Sequence, residues 1–199
     1  MGIADDTRLV RRVRRARQPP PDLDVDESAW PFTLEPVAQL LREGLELKPG
    51  VTFLVGENGS GKSTIVEAIA MAYGFDPEGG TRYTKRSTYS SESPLDRVIE
   101  VVRSLYDTHW GFFLRAESMH GWYTHQESVG RGRHDPNWHE LSHGESFLEV
   151  LKRRFDSVGF YVLDEDGFHE ANWEDLDLVT HWRNYLEDPQ LYLRHLLAD

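Results

Sequence analysis

No cysteine occurs among the 199 residues, which excludes disulfides, cysteine-based zinc sites, iron–sulfur clusters and thiol catalysis. A chain so built is expected in a reducing compartment, the cytoplasm. Runs of eighteen apolar residues are also missing, so no segment is long enough to span a bilayer as a helix. Basic residues are in short supply, with 22 Lys and Arg against 34 Asp and Glu and a net charge of −12. That balance is wrong for a surface that wraps nucleic acid on all sides, although one face could still be basic. What remains is an acidic chain long enough for one substantial domain or two small ones, a size that buries roughly 70% of its unfolded surface.

The charge is unevenly spread. Residues 1–21 carry Arg8, Arg11, Arg12, Arg14, Arg15 and Arg17 against only Asp5 and Asp6, and end in Pro19-Pro20-Pro21. Proline stiffens the backbone and removes amide donors, so this stretch is expected to be a mobile or loosely docked arm ahead of a domain over 22–199. It serves either as a solvated tail or as a contact to an anionic partner, nucleic acid or another subunit. The arginines are not followed by the apolar core of a secretory signal. Beyond the arm there is no internal repeat and no low-complexity tract.

Along the domain, Leu34, Val37, Leu40, Leu41 and Leu45 share one face of a helix over Leu34–Leu47. Val51–Val55 is a short apolar, β-rich run between Pro49-Gly50 and Gly56, which predicts a buried strand. Lys62–Tyr73 predicts a helix closed by Gly74. A loop follows over 76–93, with one exposed strand about Tyr83–Arg86. Leu95–Leu105 fits strand or helix, Trp110–Leu114 and Phe160–Leu163 predict strands, and a helix is expected from near Gly144 through Phe147, Leu148, Leu151 and Phe155. Leu176–Leu186 and Leu191–Leu197 read as amphipathic helices parted by Asp188-Pro189. Strands alternating with helices predict an α/β fold.

Chemistry concentrates first in Gly56-Glu57-Asn58-Gly59-Ser60-Gly61-Lys62-Ser63-Thr64, which fits G-x-x-x-x-G-K-[ST]. Glycines let successive amides converge on an anion, and the helix from Lys62 aims its positive end at the same point. Lys62 adds a charge for terminal phosphates, and the Ser63 hydroxyl is a small oxygen ligand for Mg²⁺. The implied cofactors are ATP and Mg²⁺. A second segment, His139-Glu140-Leu141-Ser142-His143, spells H-E-x-x-H, a zinc-protease pattern when it lies on a helix. Asp135-Pro136 upstream and Gly144 downstream deny it that helix.

The same letters read as Leu141-Ser142-His143-Gly144-Glu145, which resembles the signature of the ABC-type ATPases, with His143 where glycine is usual. The resemblance extends over most of Trp30–Glu165 and is nearest to stand-alone bacterial AAA/ABC-type ATPases. It implies a three-layer P-loop sandwich and a head-to-tail homodimer enclosing nucleotide. In it, Ser142 contacts the γ-phosphate held by the other subunit, Gly144 permits close backbone approach, and the helix from Glu145 supplies its dipole. Phe160-Tyr-Val-Leu163 with Asp164-Glu165 resembles a Walker B strand. The resemblance gives Asp164 to Mg²⁺ and Glu165 to the hydrolytic water, so that Glu165 and Lys62 are the implied catalytic residues. Arg115-Ala116-Glu117 falls at the Q-loop position without a glutamine.

After Glu165 the resemblance fails, because Asp166-Gly167-Phe168-His169-Glu170 stands where a proline, a D-loop and later a strand with a switch histidine belong. An internal truncation after about residue 165 and an incomplete core sheet are therefore expected. Asp-Gly between apolar runs also predicts a tight hairpin, which would make Asp164 and Glu165 idle turn acids. The function read from these residues is ATP binding with hydrolysis, against a nucleotide-binding remnant without turnover that acts as an interaction or regulatory protein. A small P-loop kinase with an Arg82–Arg86 lid is a further alternative. Loss of a central strand exposes apolar edges, so the isolated chain is expected to be weakly stable or dependent on a partner. A thermal melt checks this, and a cooperative transition well above ambient temperature contradicts it.

Overall fold

Strand β1, Val10–Arg15, is drawn from the arginine-rich stretch and occupies the middle of an antiparallel sheet. The computed structural model describes residues 8–83, 93–105, 109–115, 150, 154 and 157–164. Within them, β1 pairs with β2 (Leu45–Glu46) on one edge and β3 (Ile99–Arg103) on the other. The expectation of a loosely docked arm is therefore corrected. Alternation hides this strand in the sequence, because its buried residues Val10 and Val13 are three apart. A bulge at Arg11 resolves the mismatch: Val10 lies opposite Arg103 and Arg12 opposite Val102, so Arg11 is the extra residue.

The arginines are absorbed locally. Arg8 donates to Leu47 O at 2.9 Å, Arg14 Nε meets Glu100 Oε1 at 2.6 Å, and Arg15 pairs with Glu27. Arg14 stands directly across the ladder from Glu100 and, through that hydrogen bond, holds the glutamate below its ordinary pKa.

Helix α1, Glu35–Glu43, buries Val37 and Leu40 and stops at Gly44 (φ 74°), whose N–H bonds Leu40 O at 2.8 Å. It is shorter than the stretch Leu34–Leu47 suggested, because the chain turns at Gly44 into β2. Helix α2, Lys62–Tyr73, has the expected bounds, closed by Gly74 at φ 111°. Leu95–Leu105 satisfies both of its readings, with one turn of helix α3 (Leu95–Val98) running directly into β3. Gly111–Arg115 (β4) and Phe160–Asp164 (β5) form a parallel pair with Gly111 opposite Phe160 and Arg115 opposite Asp164.

Helix α2 is apolar nearly all round, and such a helix is stable only when covered. Ile65, Ala68 and Ile69 join Val13, Val37, Leu40, Val98 and Ile99 in one core. Ala70 and Tyr73, on an adjoining face, join Val10, Phe75, Phe113 and Val162 in another. The fold is thus mixed α/β, with α2 touching β3 of the antiparallel sheet and β5 of the parallel pair. Among the described residues the parallel portion consists of β4 and β5.

Val51–Val55 corrects a second expectation. It forms no strand among the described residues; only Leu54 packs against the core, while Phe53 is 65% and Val55 92% exposed. β-branched composition favours extended backbone, but a strand exists only with a ladder partner. No described helix is long and apolar enough to cross a membrane.

If β1 is structural, deleting residues 1–15 or substituting Val13→Asp, which buries an unpaired charge, abolishes cooperative unfolding. Circular dichroism melts check this; a truncated chain that melts like the intact one restores the arm.

Candidate functional site

The loop before α2 is shaped by its glycines. Ser60 N–H bonds Glu57 O at 3.2 Å to make a turn, Gly59 and Gly61 adopt φ of 77° and 92°, and Ile65 N–H bonds Gly61 O at 3.0 Å to open the helix. Gly61 serves a close approach as well as a positive φ, since a Cβ there would lie 2.8 Å from Leu34 Cδ1. Gly59 has open space where its Cβ would stand. Lys62 reaches back across the loop, its Nζ donating to Gly56 O at 3.0 Å and Glu57 O at 2.7 Å. No side chain caps the N-terminus of α2 and no acid lies in its first turn, so its positive end stays uncompensated by local carboxylates.

Asn58, Gly59, Gly61, Lys62, Ser63 and Thr64 line a cleft of about 480 Å³, together with Trp30 and Leu34. That lies within the usual range for small-molecule sites, roughly 300–1,000 Å³. The structure thus gathers much of the expected phosphate loop in one concavity. It adds Trp30, 50% exposed, which no local pattern in the sequence associates with the loop. Trp30 thereby brings an aromatic side chain to a cleft lined mostly by the loop and the first turn of α2.

Of the expected acids, Asp164 is the last residue of β5, half-buried. Its height relative to the loop follows from the packing. Phe160, at the start of β5, lies against Tyr73, at the end of α2, with ring centroids 4.8 Å apart. Arg115, opposite Asp164 at the end of β4, pairs with Glu67 of α2 at 3.0 Å. Helix and strands therefore run in opposite directions. Four strand residues from Phe160 advance about 13 Å, and the same distance back along α2 from Tyr73, at about 1.5 Å per residue, ends near residue 64. By that measure the carboxyl end of β5 lies towards the N-terminal half of α2, the half that carries Glu67. The pairing of Glu67 with Arg115 was not legible in the sequence, because nothing local links residues 48 apart.

Ser142, Gly144, Glu145 and Glu165 lie outside the described residues, as do the H-E-x-x-H segment, Glu117 and the Asp166-Gly167 pair. Among the described residues no cluster of three or more His, Cys, Asp or Glu could hold a metal ion.

Residues 35–112 match the family model of the AAA domain, about two fifths of the chain. The match spans the phosphate loop and α2 and ends within β4. It supports an AAA-type, P-loop ATPase-like relationship and, with it, nucleotide binding; the signature-like segment and β5 lie beyond it. No curated protein and no solved structure matches the chain.

Two glycine substitutions separate the roles in the loop. Gly59→Ala is expected to cost about 1 kcal/mol, the left-handed backbone alone. Gly61→Ala costs more, because Leu34 must also yield, and it weakens binding of a fluorescent ATP analogue more than Gly59→Ala does. Melts and titrations of the two variants side by side check the order.

Proposed function

We propose that the chain binds a magnesium nucleoside triphosphate, ATP, in the Gly56–Thr64 cleft and hydrolyses it as an ABC-type P-loop ATPase. The observation that carries this reading is the convergence of the uncapped N-terminus of α2, the glycine-shaped turn and the Lys62 ammonium on one cleft. Helix end and amides bind an anion, and Lys62, by exchanging its carbonyl partners for phosphate oxygens, adds charge where the transferred group develops it. Trp30 supports a stacked base at the rim.

The donor set suits Mg²⁺: the Ser63 hydroxyl and the Asp164 carboxylate are hard oxygens. Those two residues would hold the ion, which would supply positive charge to offset that of the phosphates. Glu165, directly after Asp164, is proposed to orient the attacking water. Ser142, Gly144 and Glu145 are proposed to complete the site of a second copy in a head-to-tail dimer.

One observation favours the alternative of a nucleotide-binding remnant without turnover. Val51–Val55, which leads into the loop, lacks a ladder among the described residues, leaving the loop tethered on one side mainly by Leu54.

Lys62→Ala is expected to lower ATP affinity about 10- to 100-fold, the loss of a charged hydrogen bond. Trp30→Ala lowers ATP affinity by a comparable factor and leaves inorganic tripolyphosphate within about twofold. Glu165→Gln keeps binding and cuts steady-state hydrolysis about a hundredfold or more. Calorimetry and phosphate release read all three; binding without any turnover in the unsubstituted chain selects the remnant.

A further inference from the structure

Glu67 is the one acid of α2, on a helix whose other faces pack into apolar cores. Its carboxylate meets Arg115 Nη1 at 3.0 Å, with side chains 18% and 24% exposed, far less than the surface pairs Arg15–Glu27 and Arg42–Glu35. A pair that shielded from water is screened little and costs desolvation, so its presence calls for a reason beyond surface charge balance. The same Nη1 also reaches Pro77 O at 3.3 Å, in the turn that follows α2. One guanidinium therefore ties together the end of β4, the second turn of α2 and that turn.

The position of the tie matters more than its strength. Val66, Ala70 and Tyr73 of α2 pack in the apolar cluster that holds Phe113 and Val162, with Phe160 against the Tyr73 ring. Beside Val66, the Arg115–Glu67 pair adds a charged contact between helix and strands. Arg115 is also the ladder partner of Asp164. Apolar packing alone lets a helix slide or tilt over a sheet, whereas a charged hydrogen bond fixes the height of one against the other.

We propose that Arg115 and Glu67 are positioning residues that fix the end of β5, and with it Asp164, against α2, and so set the affinity of the nucleotide complex for Mg²⁺ without contributing to the grip on the phosphates. This rests on the reading of Gly56–Thr64 as a nucleotide site. Neither residue touches nucleotide; each acts through the β4–β5 edge. Partners that orient metal ligands typically change metal affinity 10- to 100-fold when removed.

The test uses the full chain and a fluorescent ATP analogue, titrated in EDTA and then over a range of Mg²⁺ concentrations, with a thermal melt of each protein. Arg115→Met and Glu67→Gln are expected to leave affinity in EDTA within about twofold and to raise the Mg²⁺ concentration at half-effect about tenfold or more. The reversed pair, Glu67→Arg with Arg115→Glu, recovers most of that loss. Should Arg115→Met fail to fold, Glu67→Gln, which keeps size and one hydrogen bond, carries the same comparison. An unchanged Mg²⁺ dependence in a folded variant overturns the proposal, as does an equal loss in EDTA and in Mg²⁺, which would mark the pair as merely structural. An unsubstituted chain that does not bind the analogue in EDTA or in Mg²⁺ overturns the nucleotide site itself, and is told apart by that control.

Discussion

A twelve-residue helix with almost no polar face is the constraint from which the rest of the structure follows. Lys62–Tyr73 can exist in water only if covered, and the two small sheets supply the cover, one through Val13 and Ile99 and the other through Phe113 and Val162. Cover on the flanks leaves the two ends. At the C-terminus, Arg103 of β3 donates to Tyr73 O and lies 4.4 Å from the centre of the Tyr73 ring, a cation set against the negative end of the dipole. At the N-terminus no side chain caps the helix, and the open cleft is there. The same burial that stabilises α2 thus leaves its positive end turned to the cleft.

The first sheet shows how little the charge of a segment says about its place. Its arginines look like an arm when counted, yet Arg8, Arg14 and Arg15 each meet a carboxylate or carbonyl of the sheet or its flanking turns. Exposed pairs of this kind stabilise by only about 0–1 kcal/mol each. The ladder and the burial of Val10 and Val13 therefore hold β1, and the arginines select its register, Arg14 opposite Glu100 above all.

What could be read in the sequence was what is written locally. The bounds of α2 were legible to the residue because Gly61 and Gly74 need backbone that other residues resist, and because the apolar spacing between them is helical. β4 and β5 were legible as apolar runs. β1 was not, since its bulge breaks the period of two, and Val51–Val55 misled because composition reports a preference for extended backbone and says nothing about a neighbour. Trp30 and the Arg115–Glu67 pair lay beyond reach for a different reason: both are contacts between segments far apart in sequence, created only when β4, α2 and the turn before α1 come together.

The two readings of Asp164 turn on the same kind of long-range fact. An Asp-Gly hairpin after β5 concerns only one edge of that strand, and the other edge is taken by β4 in parallel register. Parallel pairing sends the carboxyl ends of both strands to one side, which is where open α/β sheets bind their ligands. An idle turn acid would project into solvent. Asp164 is instead half-buried, with Arg115 as its ladder partner. Whatever follows residue 164, the direction of β5 puts Asp164 at the carboxyl end of the parallel pair, opposite Arg115.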